Sequence, residues 1–199
     1  MQAYASETAE AAFTASCTRF DGLVAWLTGG QAAGMTHGEL EERLHIEGLA
    51  LLRQLLQDSL DLRAVREQRL VEVVDADGHR RGVAEDGHER GLATRFGQVT
   101  VTRIAYRARG QSNLHPADAA LNLPVEKHSH GLRKLAAIEA VRGSYTETAT
   151  AIERATGVRL GRRQVEQLAA RAAADVDPHT PSTRRPMTCW RSASTARAW

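Results

Sequence analysis

The side chains of this 199-residue chain best suited to chemistry lie toward its C-terminal end. Arg162, Arg163, Gln164 and Gln167 follow Gly161 in the stretch GRRQVEQLAAR. Arg offers two parallel N–H donors that match guanine, and Gln offers a donor and an acceptor that match adenine. Arg159 and Arg171 flank this set and suit phosphate, which asks for charge rather than a donor–acceptor pattern. The candidate DNA contacts are therefore Arg159, Arg162, Arg163, Gln164, Gln167 and Arg171. No comparable set supports catalysis. His128 and His130 bracket Ser129, but two histidines at i and i+2 with no third ligand are a surface pair rather than a metal site. The chain holds no P-loop, no Gly-rich dinucleotide turn, no Ser/His/Asp or Cys/His nucleophile arrangement and no paired carboxylates in a defined setting. No catalytic residue and no metal ligand is assigned.

Three helices must position the candidate set, and they fit residues 128–174. The first starts near Ser129 and turns Leu132, Leu135, Ile138 and Val141 inward, ending at Gly143. The second opens with the capping box Ser144-Tyr145-Thr146-Glu147. It carries Ala149, Ile152 and Ala155 on its apolar face and stops at Thr156-Gly157. The third starts after Gly161, a weaker N-cap than Ser, and turns Val165, Leu168 and Ala172 inward. Helix, glycine turn and a helix with a basic start is the helix-turn-helix pattern, whose second helix places its N-terminal side chains in the major groove.

Upstream, Phe13, Cys17, Phe20, Val24 and Leu27 recur at steps of four and three, which predicts one apolar helix stripe with Ser6 as N-cap. Thr36 and Glu39 form a second capping box. It opens a helix with Leu40 and Leu44, a possible break at Gly48, and a stripe of Leu49, Leu52, Leu56 and Leu60 that Leu70 and Val74 could extend to the turn Asp75–Gly78. That stripe fits core packing, or a dimer seam without ordered flanking charges. Residues 75–91 are polar and Gly-rich, as in a loop or loose hairpin. Residues 92–106 predict a strand pair about a tight turn at Phe96-Gly97. Arg95, Arg103 and Arg107 on it fit either phosphate contacts or an exposed polar face. Residues 108–127, with Pro116 and Pro124, read as an ordered linker. The expected class is mainly α with a small antiparallel β element (α+β). Its regions are 1–74 (N-terminal helices), 75–127 (β-hairpin and linker), 128–177 (helix-turn-helix) and 178–199 (tail).

Composition narrows the class further. Hydrophobic residues are 42% and charged residues 25%, a globular balance rather than a disordered one. No stretch approaches the roughly 18 apolar residues of a membrane span, and the N-terminus has no secretory pattern. Two cysteines, Cys17 and Cys189, make neither a disulfide framework nor a four-ligand zinc site. Charge is uneven: residues 1–70 carry net −4, 71–127 are balanced, 128–177 carry +2 and 178–199 carry +4. The asymmetry hints at an anionic partner for the C-terminal half, but charge alone favours a solvated surface. Arginines number 24 against 2 lysines, which points to GC-rich coding DNA.

Several long stretches converge on one resemblance. GGQAAGMT (29–36), LLRQLLQDSLDLRAVRE (51–67), VVDADG (73–78), LATRFGQVTVTRIAYR (92–107), LHPADAALNLPVEKHSHGLRKLAAIEAVRGSY (114–145) and ATGVRLGRRQVEQL (155–168) together resemble the N-terminal half of bacterial insertion-sequence transposases of the ISKra group. The resemblance spans roughly residues 1–177. It implies recognition of double-stranded transposon-end DNA at the bacterial nucleoid in the cytoplasm, with a homodimer or full-length transposase as a possible partner and no membrane. It also implies a downstream RNase H-like domain, in which acidic residues hold divalent metal, magnesium, for strand transfer. That domain has no counterpart here, so no catalytic residue is carried over and no cofactor is expected for this chain.

Residues 178–199, PHTPSTRRPMTCWRSASTARAW, depart from the resemblance. Back-translated with GC-rich codons and read one frame over, Met187-Thr188 must give Asp and Cys189-Trp190 must give Leu. The whole tail can then read AHPVDPAPDDVLALSVDGKGM, a Pro-rich linker and a buried strand ending in Asp. The resemblance places its first catalytic Asp at such a point. The expectation is a frame-shifted chain that ends before the catalytic domain; a native basic tail is the other reading. Programmed frameshifting that restores an active enzyme, and a non-functional pseudogene product, follow as further readings.

Overall fold

The computed structural model describes residues 11–176. Ser6, Cys189 and the tail 178–199 lie outside the described residues. Among those described the protein is mainly helical with one two-stranded antiparallel sheet. The elements are α1 (Thr14–Leu27), α2 (Gly30–Ala33), α3 (His37–Arg66), β1 (Val83–Thr94), β2 (Gly97–Arg107), α4 (Pro116–Ala120), α5 (His130–Ala140), α6 (Tyr145–Thr156) and α7 (Arg162–Val176). No helix among the described residues is long and apolar enough to cross a membrane.

The Thr36 capping box is present at the start of α3. Thr36 Oγ1 accepts from the Glu39 N–H, and the Glu39 carboxylate accepts from the Thr36 N–H at 2.8 Å. The helix then runs unbroken for 30 residues, so Gly48 does not interrupt it. A single helical glycine costs about 1 kcal/mol, which the Leu-, Glu- and Gln-rich flanks offset. Leu70 and Val74 do not extend the helix, because tertiary bonds end it first. The Glu67 carboxylate accepts the Ile104 N–H of β2 at 3.0 Å, and the Leu70 N–H donates to the Tyr106 hydroxyl at 2.8 Å.

The β strands pair from Val83↔Arg107 to Thr94↔Gly97, with an irregularity between Glu85 and His88. Gly87 sits there at φ +76°, a conformation glycine adopts without strain. The tight turn at Phe96-Gly97 is as the sequence predicts. Thr94 Oγ1 accepts from the Phe96 N–H and donates to the Gly97 carbonyl. The polar run 83–91 is strand rather than loop, because β2 supplies a partner for its backbone. Helix α3 lies across this ribbon: Leu56 and Leu60 pack on Leu92, Val99 and Val101. Gln57 doubles as a backbone substitute. Its side-chain amide donates to the Thr100 carbonyl at 2.9 Å and accepts the Thr100 N–H at 2.8 Å, satisfying β2 groups that no third strand meets.

Helix α1 packs on α3 by a face the apolar periodicity does not indicate. Ser16, not the Phe/Val stripe, is its buried residue. The Ser16 N–H and hydroxyl both donate to the buried Asp58 carboxylate, which also accepts from Gln54. Arg19 pairs with Glu47, and Arg43 lies 5.5 Å from the Trp26 ring centre. Cys17, Phe20, Val24 and Leu27 are exposed. Polar pairs fix the rotation of α1 because a buried carboxylate tolerates few geometries.

The last three helices share one core, in which Leu132, Ala136, Ile152, Val165 and Leu168 have almost no exposed surface. Full burial of each large side chain is worth about 1.5–3 kcal/mol. The buried face of α5 is Leu132/Ala136 with Leu135 partly buried, while Ile138 and Val141 face solvent. On α6, Thr148, Ile152 and Thr156 are buried and Ala155 is exposed. This core is tied to the sheet by segment 127–129: the Ala93 N–H donates to Lys127 O and the Ser129 N–H to Ala93 O, each at 2.8 Å.

Candidate nucleic-acid interface

The α6–α7 connection is held by local chemistry at both ends. Ser144 caps α6, with the Glu147 carboxylate accepting the Ser144 N–H at 2.8 Å. Gly157 ends α6 in the left-handed conformation at φ +69°. A residue with a Cβ would be strained there, and its N–H reaches Glu153 O as a helix stop. Thr156 Oγ1 donates to Ile152 O and accepts the Val158 N–H, which aims Val158 into the core. Val158 and Leu160 are buried and alternate with exposed Arg159, so the five-residue connection has an inner apolar side and an outer charged one.

Helix α7 sits on α5 and α6 through Val165 and Leu168. Its opposite side carries Arg162, Arg163, Gln164, Glu166 and Gln167, all exposed. Among the described residues Arg162 and Arg163 make no hydrogen bond or ion pair. Gln164 is engaged: its amide oxygen accepts the Gly161 N–H at 2.8 Å and caps the helix start. Its NH2 alone is left for a ligand, so it lacks the free donor–acceptor pair that adenine matches. Arg159 pairs with Glu153 at 2.6 Å, a contact with the Arg side chain 87% exposed. An ion pair so open to water is weak, and phosphate competes with it readily.

Arg171 points elsewhere. It pairs with Glu126 at 2.6 Å, and Arg133 approaches the same carboxylate at 3.7 Å. The contact straps α7 and α5 to the end of the linker. The hairpin arginines divide too. Arg103 is buried and lies 2.6 Å from Asp118 in an ion pair poorly aligned for a hydrogen bond, so it is closed to phosphate. Arg107 pairs with Glu85 at 2.5 Å, and the stem of Arg95 packs against Gly131.

Two groups escape a reading of the sequence. Arg154 on α6 and Arg53 on α3 line, with Arg159, a groove of about 660 Å³ beside Phe96 and Gly97 at the hairpin tip. Glu42 and Glu153 share its walls. Arg53 and Arg154 are far apart in sequence, so no local signal pairs them. Arg162 also lines a groove of about 440 Å³ with Ser144, Tyr145 and Thr146 at the start of α6. The first N–H groups of a helix lack intrahelical partners and carry partial positive charge.

The two histidines of the 128–130 run serve the fold. His130 Nε2 lies 3.1 Å from Asn122 O, and burial pushes the His128 imidazolium pKa down. Among the described residues one cluster has metal-ligand geometry, Asp75 with Asp77 and His79. Its central carboxylate is already occupied by the Asp77 and His79 N–H groups and by Arg81. No family model, curated protein or solved structure matches the chain.

Proposed function

We propose that this chain is the DNA-binding N-terminal part of an insertion-sequence transposase of the ISKra group. Its helix-turn-helix, α6–α7, recognises double-stranded transposon-end DNA. The observation that carries the reading is the pair Arg162 and Arg163. Both are exposed at the start of α7, and neither has a partner among the described residues. A helix seated by Val165 and Leu168 and led by two unpaired guanidiniums suits a major groove, where the first turn meets base edges. Arg162 and Arg163 serve as base readers and Gln167 assists from the next turn. Arg159, released from Glu153, neutralises phosphate, as do Arg154 and the start of α6. Gln164 caps the helix and Arg171 braces it, so both act through position.

The test is a mobility-shift titration on inverted-repeat ends against scrambled duplex at several salt concentrations. Specific binding that weakens with salt is expected, since each neutralised phosphate releases counterions. Equal affinity for both duplexes, or no binding, overturns the reading. A second reading, an active enzyme restored by frameshifting, rests on the shifted frame of residues 178–199. The gene sequence decides it: a slippery run before the shift and an open downstream frame are required.

A further inference from the structure

Helices α1 and α3 form an antiparallel pair, as Ser16–Asp58, Arg19–Glu47 and the Trp26–Arg43 contact require. At 100° per residue, Phe20, Val24 and Leu27 lie about 20–80° round α1 from Ser16. By the same measure Leu44, Leu51 and Leu55 lie about 20–60° round α3 from Asp58, in the same sense, with Leu52 further on. In an antiparallel pair, equal rotations of the same sense fall on the same side. The two helices therefore present one shared apolar face, away from the sheet that Leu56 and Leu60 cover.

That face is uncovered. Phe20 is 54% exposed, Val24 42%, Leu44 39%, Leu52 44% and Leu55 38%. With Leu27, these side chains leave roughly 500 Å² of apolar surface in one patch, near the top of the range for monomers. The spacing along each helix alternates three and four: 17, 20, 24, 27 on α1 and 44, 48, 51, 55 on α3. This is the period of helices that pack lengthwise against other helices. Gly48 falls within the α3 row, with open space where a Cβ would stand, so another helix can approach closely there.

We infer that this face is a self-association surface, on which two copies of the chain join their α1/α3 pairs as an antiparallel four-helix bundle. Charge selects a second copy as occupant. Residues 1–70 carry net −4, which disfavours nucleic acid on this surface. Glu41 and Arg63 lie on the same side of α3, equally far in sequence from Leu52. Glu41 has only an exposed His37 contact at 3.5 Å, and Arg63 has no ion pair among the described residues. If α3 crosses its copy antiparallel about Leu52, Glu41 of each chain meets Arg63 of the other. One two-fold axis then satisfies both charges and covers both apolar rows, as an isologous interface requires. With its polar rim, the covered surface approaches the roughly 800 Å² per partner of a stable interface.

The experiment is sedimentation equilibrium of the full chain over a concentration series. A monomer–dimer equilibrium is expected. Val24→Glu and Leu55→Glu should each raise the dissociation constant at least about tenfold while the helical circular-dichroism spectrum is kept. Glu41→Arg and Arg63→Glu should each weaken the dimer, and the two together should restore it. A wild type that stays monomeric, a dimer indifferent to both apolar replacements, or a charge-reversed pair that fails to recover overturns the inference. DNA binding by the monomer leaves the proposed recognition role standing in each of these cases.

Discussion

The three C-terminal helices and the N-terminal pair α1/α3 turn their side chains in opposite directions. In α5–α7 the large apolar groups point inward, and Leu132, Ile152, Val165 and Leu168 are closed to solvent. Charge points outward, and two guanidiniums at the start of α7 are left without partners among the described residues. In α1/α3 the contact between helices is polar, built on Ser16, Asp58, Arg19 and Glu47, and the apolar rows face out. The first unit is complete as a core and incomplete as a charge distribution. The second is the reverse. An anionic ligand suits the first and an apolar helical partner the second, so the proposed recognition and the proposed assembly fall on two different surfaces.

This contrast breaks most readily at the cores. Leu168→Ala or Ile152→Ala should destabilise by about 2–5 kcal/mol, since each leaves a cavity among rigid neighbours. Phe20→Ala, measured on dilute monomer, should stay within about 0.5 kcal/mol. Urea unfolding of the three variants checks it; a comparable loss for Phe20→Ala would mean that the α1 stripe is core after all. Next in size is the polar seam. Asp58→Ala leaves the Ser16 N–H and hydroxyl without their acceptor and should cost about 1–3 kcal/mol, visible as loss of helix signal at lower urea.

On the outward side of α7, Arg162→Ala or Arg163→Ala should cost about 1–3 kcal/mol of discrimination between transposon-end and scrambled DNA. Unfolding midpoints should stay unchanged, because neither side chain touches the core. Arg171→Ala should do the opposite, lowering stability through the lost Glu126 strap with little change in discrimination. Smallest are the helix starts, where the two regions behave alike. The Thr36 hydroxyl and N–H hold the Glu39 carboxyl below the usual carboxylate range, and the Ser144 N–H and hydroxyl do so for Glu147. A depressed carboxyl stabilises the fold above its unfolded pKa, and that contribution is lost as pH falls through the lower folded value. NMR titration should show both midpoints below 4.5, and Ser144→Ala should raise Glu147 alone only part of the way back, because the Ser144 N–H, the larger cause, stays in place.

How much of this was legible in the chain follows the range of the interaction concerned. Both capping boxes, the Gly157 stop, the turn at Phe96-Gly97 and the inward set Val165/Leu168 are written within a few residues, and local hydrogen bonding enforces them. The same holds for the exposed Arg162/Arg163 pair, whose outward direction follows from the inward positions of its own helix. The capping role of Gln164 is not legible as such: glycine at 161 brings no side chain to cap the helix, and the glutamine supplies that bond instead. The ion pairs of Arg171 and Arg103 are hidden for another reason: their acceptors, Glu126 and Asp118, come from the linker, which carries no periodic signal.

The sequence by itself determined where helices and strands begin and end wherever a cap, a glycine or a β-branched run governed the outcome. It also determined that residues 128–199 carry the basic surplus and residues 1–70 the acidic one. Only the tertiary structure decided which face of each helix is buried. Apolar periodicity marks a face that must be covered, but not by what, and in α1 the buried Asp58–Ser16 bond left Phe20, Val24 and Leu27 at the edge of the contact, partly open to solvent. Only the tertiary structure, too, decided which arginines remain free. A guanidinium takes whatever carboxylate folding brings within reach, and sequence distance gives no measure of that.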